Sequence, residues 1–221
     1  MLKNIKAIGF DLDQTLYPPN SEIDDLIRNE IARRILERKP ELGDIKTTRL
    51  VYEQKHKTTG SWVGILKEEG FEKPDELLNE WFSFVNPGIV YLIPKDEVLR
   101  DIMSFLKKKY SLFLITNTPE DLSIPRLNKI GLEKTLFDYA LFGSDPDFGS
   151  KAKGTPFKNL LNKSPYKPDE HVYVGDSLKA DILPAKSYGM KTISVGSYIQ
   201  EADFSIQSIK DITCLFEEHG E

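Results

Sequence analysis

A single cysteine, Cys214, in 221 residues excludes an internal disulfide and any cysteine-based zinc site. Histidine is almost as scarce. His56, His171 and His219 stand far apart, and none has a neighbour at the spacing of a metal-ligand pair. No apolar run approaches the ~20 residues that cross a bilayer. The start, Met1-Leu2-Lys3-Asn4-Ile5-Lys6, leads into a strand-like stretch without a cleavage signal. A basic face is missing too: the formal net charge is −5, and the only local basic run is Lys107 to Lys109. These absences set the expectation of a cytoplasmic protein, with neither a membrane nor a nucleic acid polymer as partner.

What is present is a normal soluble composition, 39% hydrophobic and 29% charged, enough for a sizeable core. Five short apolar runs stand out: Ala7 to Phe10, Leu112 to Ile115, Tyr139 to Phe142, Val172 to Val174 and Thr192 to Val195. Most are apolar on successive residues, the pattern of strands buried on both faces of a parallel sheet. From residue 94 onward helix-like stretches separate them: Lys95 to Lys109, Glu120 to Ile130 before Gly131, Thr155 to Asn162, and Leu178 to Tyr188 before Gly189. Strand–helix alternation predicts an α/β fold, a Rossmann-like parallel sheet with helices on both faces.

The stretch between the first two strands breaks this pattern. Ile23 to Lys39 carries apolar residues at a helical period, and Leu50 to Gln54, Trp62 to Glu68 and Glu76 to Val85 also read as helices. A plain crossover needs only ~10–15 residues. The expected organisation is therefore a catalytic core over 1–17 and 93–221 with an inserted all-helical cap over 18–92.

The predicted strand ends carry the chemistry. The first ends in Asp11-Leu12-Asp13-Gln14-Thr15, two carboxylates where open α/β sheets bind ligands. Like charges that close need screening, and a hard divalent cation with oxygen ligands supplies it. Alone, an Asp-x-Asp is an ordinary acidic loop. The second strand ends in Thr116-Asn117-Thr118-Pro119-Glu120-Asp121, in which Thr118 is expected to cap the next helix with Pro119 at its first position. Such a helix start favours a phosphate, and Thr116 adds a hydroxyl. After the third strand come Lys151 and Lys153, close to a helix start. The fourth ends in Gly175-Asp176, with Asp181 a helical turn further on. Parallel strands bring all these ends to one sheet edge, so acids for a cation and donors for an anion converge there.

These motifs resemble the haloacid dehalogenase-like hydrolase superfamily. Its first motif, Asp-x-Asp-x-Thr, matches Asp11, Asp13 and Thr15; its second-strand Thr matches Thr116; its acidic fourth motif matches Asp176 and Asp181. Its lysine is assigned to Lys153 on the Lys-x-x-Pro spacing to Pro156, with Lys151 as the alternative. A narrower likeness, in Asp13-Gln14-Thr15-Leu16-Tyr17-Pro18 and Val85-Asn86-Pro87-Gly88, is to the branch containing pyrimidine 5′-nucleotidases.

The resemblance implies a phosphatase acting on a small phosphorylated metabolite. Asp11 would be the nucleophile, forming an aspartyl-phosphate, and Asp13 the acid and base. Mg²⁺ would be held by Asp11, Asp13 through its backbone carbonyl, and Asp176. Thr116, Asn117 and Lys153 would bind the phosphate, with Asp181 orienting Lys153 or a metal-bound water. In the cap, Thr59, Gly60 and Trp62 are substrate candidates. Trp62 would stack a base or sugar, unless it packs inside the cap. Asp13 argues against a dehalogenase, which needs no acid two residues after the nucleophile. A phosphomutase and a non-catalytic phospho-ligand module are the alternatives.

Overall fold

The computed structural model describes residues 2–59 and 61–216. Strand β1 (Ala7–Phe10) is buried along its whole length. It lies at the centre of a six-stranded, wholly parallel sheet with β2 (Ser111–Thr116), β3 (Tyr139–Phe142), β4 (His171–Gly175), β5 (Lys191–Val195) and β6 (Phe204–Ile206) in the order β3-β2-β1-β4-β5-β6. The order reverses beside β1, so the crevice past its C-terminal end is the place where such a sheet receives a ligand. The successive apolar residues of β1, β2 and β4 are buried because helices cover the sheet, as their sequence pattern requires. Strand β6 has no counterpart in the sequence reading. It is three residues long, and Ser205 at its middle is exposed, leaving no apolar run to see.

The chain divides into two compact units. One comprises the residues up to Pro19 and those from Ile93 onward; the other is Asn20–Leu92. The second unit is helical: α1 (Ser21–Arg38), α2 (Ile45–Thr59), α3 (Trp62–Glu68) and α4 (Pro74–Leu92). Its own core gathers Ile31, Ile35, Tyr52, Ile65, Leu66 and Trp81. Helix α4 runs through Pro87, where the sequence reading stopped at Val85. The buried face carried on by Asn86 and Ile89 outweighs the one hydrogen bond that proline removes.

In the sheet unit the helices are α5 (Glu97–Lys107), α6 (Glu120–Lys129), α7 (Thr155–Lys163) and α8 (Leu183–Ser187). Their apolar faces and the strands build a core containing Phe113, Ile115, Phe157 and Tyr173. The predicted helix over 178–188 begins differently from an α-helix. Leu178–Ile182 forms a π turn, in which the Ser177 carbonyl accepts from both Asp181 and Ile182. Single π turns recur at functional sites, and this one directs Asp181 inward, where it is buried. Among the described residues no helix is long and apolar enough to cross a membrane.

Candidate active site

Strand register builds the site. Phe10 lies level with Leu114 on one side and Val174 on the other. One residue on, Asp11 emerges between Ile115 and Gly175, and its N–H still donates to the Val174 carbonyl at 2.9 Å. Thr116 and Asp176 stand one step further along their strands.

Asp11 and Asp13 leave the β1 tip into two different surroundings. Asp11 is buried and ion-paired with Lys151, whose Nζ also lies 2.6 Å from Asp181 Oδ1. The other Asp181 oxygen accepts from the Ser177 N–H at 2.8 Å. Asp11, Asp176 and Asp181 each bring a carboxylate oxygen within 4.8 Å of the others. Three carboxylates thus face one ammonium, an excess of two negative charges. Burial pushes the Asp11 carboxyl well up despite Lys151, and repulsion from Asp181, Asp176 and Asp13 adds to it. Burial and then Asp181 push Asp176 up to about 6. Oxygen donors with that excess suit a hard divalent cation such as Mg²⁺, with Asp11 and Asp176 as the carboxylates not already committed in full to Lys151 and a backbone amide.

Asp13 turns the other way. Its Oδ1 accepts from the Tyr17 hydroxyl and from Arg126 Nη1 at 2.6 Å, and its Oδ2 accepts from the Thr118 hydroxyl at 2.5 Å. Burial alone would raise this carboxyl, but the Arg126 charge and the three hydrogen-bond donors hold it below the usual carboxylate range. Its side chain is therefore engaged elsewhere than in the Asp11–Asp176–Asp181 group.

The lysine of the cluster is Lys151, not Lys153. Lys151 is 2% exposed, and burial, which opposes its charge, is outweighed by Asp11 and Asp181. Lys153 is exposed two residues further along the same turn, and its backbone N–H bonds Ser150. The turn buries Lys151 and exposes Lys153, so a spacing to Pro156 could not decide between them. Thr116 is buried at the end of β2, and its Oγ1 accepts from the Thr118 N–H at 3.1 Å; Asn117 beside it is exposed. The capping role expected of Thr118 does not occur. Its hydroxyl goes to Asp13, α6 has no side-chain cap, and the Glu120 N–H donates to Ser144 instead. Sequence reasoning passed over Arg126 and quoted Tyr17 in a motif without giving it a role. A cationic residue on the otherwise buried face of α6, beside Leu122 and Leu127, was the available signal.

The helical-unit candidates are less committed to chemistry. Trp62 stacks on His56, with ring centroids 4.3 Å apart and planes 16° from parallel, so one face of the indole is covered within that unit. The Thr59 hydroxyl donates to the Lys55 carbonyl at 3.0 Å. Gly60 lies outside the described residues.

The family model for haloacid dehalogenase-like hydrolases matches residues 5–189. A glyceraldehyde 3-phosphate phosphatase of Methanocaldococcus jannaschii is 26% identical over 94% of this chain and 95% of its own. A phosphoglycolate phosphatase of Chromobacterium violaceum is 26% identical over 96% of both. Among solved structures, a HAD phosphatase from Thermococcus onnurineus superposes with a TM-score of 0.70 at 19% identity, covering 96% of this chain and 98% of that one. The chain belongs to the haloacid dehalogenase-like hydrolases and is an enzyme that hydrolyses phosphoric monoesters.

Proposed function

We propose that the protein is a Mg²⁺-dependent phosphatase of small phosphorylated metabolites with Asp11 as nucleophile. The observation that carries the reading is the opposite placement of two carboxylates on one strand tip: Asp11 among Lys151, Asp176 and Asp181, and Asp13 against Arg126, Tyr17 and Thr118. Two carboxylates in such different surroundings can take different roles: Asp11 needs a cation to stay ionised, and Asp13 must take up a proton before it acts as an acid.

In this reading an Asp11 oxygen attacks phosphorus, the ester P–O bond breaks, and Asp13, having taken up a proton from solvent, passes it to the departing oxygen. Water then attacks the aspartyl-phosphate, the Asp11 P–O bond breaks, and the water proton passes to Asp13. Lys151 and Thr116, with Asn117 at the same loop, bind the transferring oxygens, and Asp181 holds Lys151 in place. Asp11, Asp176 and the Asp13 carbonyl would hold Mg²⁺, which supplies the positive charge that keeps Asp11 ionised and offsets the phosphate.

The names of the relatives put short phosphorylated carbon compounds at the head of the substrate panel. A pyrimidine nucleotide rests on the sequence motifs alone, since Trp62 stacks on His56 and packs against the core of its own helical unit. A cytoplasmic setting is part of the reading, and the exposed thiol of Cys214 is consistent with a reducing compartment. The test is phosphate release from glyceraldehyde 3-phosphate, phosphoglycolate, sugar phosphates and nucleoside monophosphates, with Mg²⁺ and with EDTA. Turnover should require Mg²⁺ and vanish in a folded Asp11→Asn variant. Unchanged turnover in that variant would remove Asp11 as nucleophile. A requirement for a bisphosphate activator without net phosphate release would identify a mutase.

A further inference from the structure

We propose that Arg126 is a positioning residue for leaving-group protonation: from α6 it fixes the Asp13 carboxylate in the place from which the departing oxygen receives its proton. The inference rests on the reading of Asp13 as the acid of the first half-reaction.

Arg126 is 5% exposed, on a helix whose neighbouring residues Leu122 and Leu127 are buried apolar side chains. Burying a guanidinium is costly unless it is paired and hydrogen-bonded. Its Nη1 lies 2.6 Å from Asp13 Oδ1, across 113 residues of sequence. A buried cation aimed at an acid in a different loop is an expensive device if the only need is to anchor α6, which its apolar face already does.

The donors around Asp13 differ in what they fix. Tyr17 and Thr118 reach it through single hydroxyls, which rotate and can turn to other acceptors. The guanidinium is planar, always charged and held by the helix, so it sets the direction of the carboxylate. A carboxylate offers about four acceptor positions. Tyr17, Arg126 and Thr118 fill three, two on Oδ1 and one on Oδ2. Beside these bonds among the described residues, a position on Oδ2 is left for the proton that travels to the leaving oxygen. Loss of Arg126 leaves the acid present but free to turn, and small misplacements of a reacting group are costly in rate.

The experiment compares two esters on each enzyme preparation in Mg²⁺ buffer. One is an alkyl phosphate, glycerol phosphate, whose alkoxide needs a proton to leave. The other is 4-nitrophenyl phosphate, whose phenolate leaves without one. The quantity read is kcat/KM, which reports events up to departure of the leaving group and so excludes the later hydrolysis of the aspartyl-phosphate. Arg126→Gln should lower the alkyl value by at least about tenfold and the nitrophenyl value by less than about threefold. Arg126→Lys, which keeps a buried charge, should recover part of the alkyl rate. Asp13→Asn should show the same selectivity, and adding Arg126→Gln to it should not change the alkyl-to-aryl ratio further. The ratio does not depend on the folded fraction, so partial unfolding of a variant cannot imitate the result. Equal losses on both esters, or none, in Arg126→Gln while Asp13→Asn stays selective would overturn the positioning role and leave the acid assignment standing. An unselective Asp13→Asn would overturn the acid assignment and the inference with it.

Discussion

The carboxylate of Asp181 occupies the space that a side chain on Gly175 would fill: a Cβ there would lie 2.4 Å from Asp181 Cγ and 2.6 Å from its Oδ2. The glycine that ends β4 and the acid delivered by the π turn are therefore one device, and its product is the hold on Lys151. Gly175→Ala should push Asp181 aside, cost about 1–3 kcal/mol of stability through overpacking, and lower kcat/KM by about ten- to a hundredfold through the displaced lysine. Urea unfolding and phosphate-release kinetics on the same variant check both numbers. Wild-type kinetics in Gly175→Ala would mean that the Asp181 position is not needed for turnover.

The two lysines after β3 give a direct contrast. Lys151 is enclosed by Asp11 and Asp181, whereas Lys153 is exposed. Lys151→Met should reduce kcat by about 10²–10³-fold, as loss of one preorganised donor to a transferring group does. It also leaves the carboxylates uncompensated, a defect of about 3–5 kcal/mol for a broken buried pair. Lys153→Met should leave both quantities close to wild type. Comparable losses in the two variants would contradict the division of roles.

This pair also marks what the sequence could and could not disclose. The fold class was readable because strands buried on both faces keep successive apolar residues, and β1, β2 and β4 do so. The placement of Asp11, Thr116 and Asp176 at one sheet edge follows from parallel register alone. Lys151 against Lys153 does not, because the residues lie in a turn with no period. Thr118 had a sound local reason to cap α6, but a carboxylate 105 residues away offered its hydroxyl a charged acceptor. The partner of Arg126 was invisible for the same reason, since it is set by tertiary structure and not by the residue's own helix. Strand β6 was missed because three residues with an exposed serine show no pattern.

The charge excess around Asp176 predicts opposite pH behaviour with and without cation. Burial and Asp181 raise its folded value to about 6, above the ordinary 3.8. The folded state then binds this proton more tightly than the unfolded one. The stability it contributes is full below the unfolded value and is lost as pH rises from about 4 through 6. In EDTA above that range, Asp176→Asn should be more stable than wild type by on the order of 2 kcal/mol. In Mg²⁺ the order should reverse, because only the wild-type site gains binding energy. The Mg²⁺ concentration for half-maximal activity should rise as pH falls below about 6, where protons compete for the ligands. Thermal melts in EDTA and in Mg²⁺ across this range check the sign, and identical curves for the two proteins in EDTA would refute it.

The last prediction concerns the floor of the site. Gly9 on β1 lies between Phe113 on β2 and Tyr173 on β4, and the missing side chain lets the two rings approach to 6.2 Å over the central strand. Tyr173 in turn donates its hydroxyl to the Ile115 carbonyl at 2.8 Å, directly before Thr116, and its ring lies beneath Lys151 Nζ at 5.4 Å. A Cβ on Gly9 would fall 1.9 Å from Phe113 Cε2, so the ring has to move. Gly9→Ala should therefore destabilise the protein by about 1–3 kcal/mol and lower activity by shifting Tyr173 and the groups it supports. Phe113→Leu removes the ring edge that clashes and should by itself cost stability through lost packing. In the double variant the smaller residue makes room for the new methyl. The loss should then be less than the sum of the two single losses by about 0.5 kcal/mol or more, the coupling expected for residues in direct contact. Additive losses in a double-mutant cycle would mean that the ring and the glycine are not paired in this way.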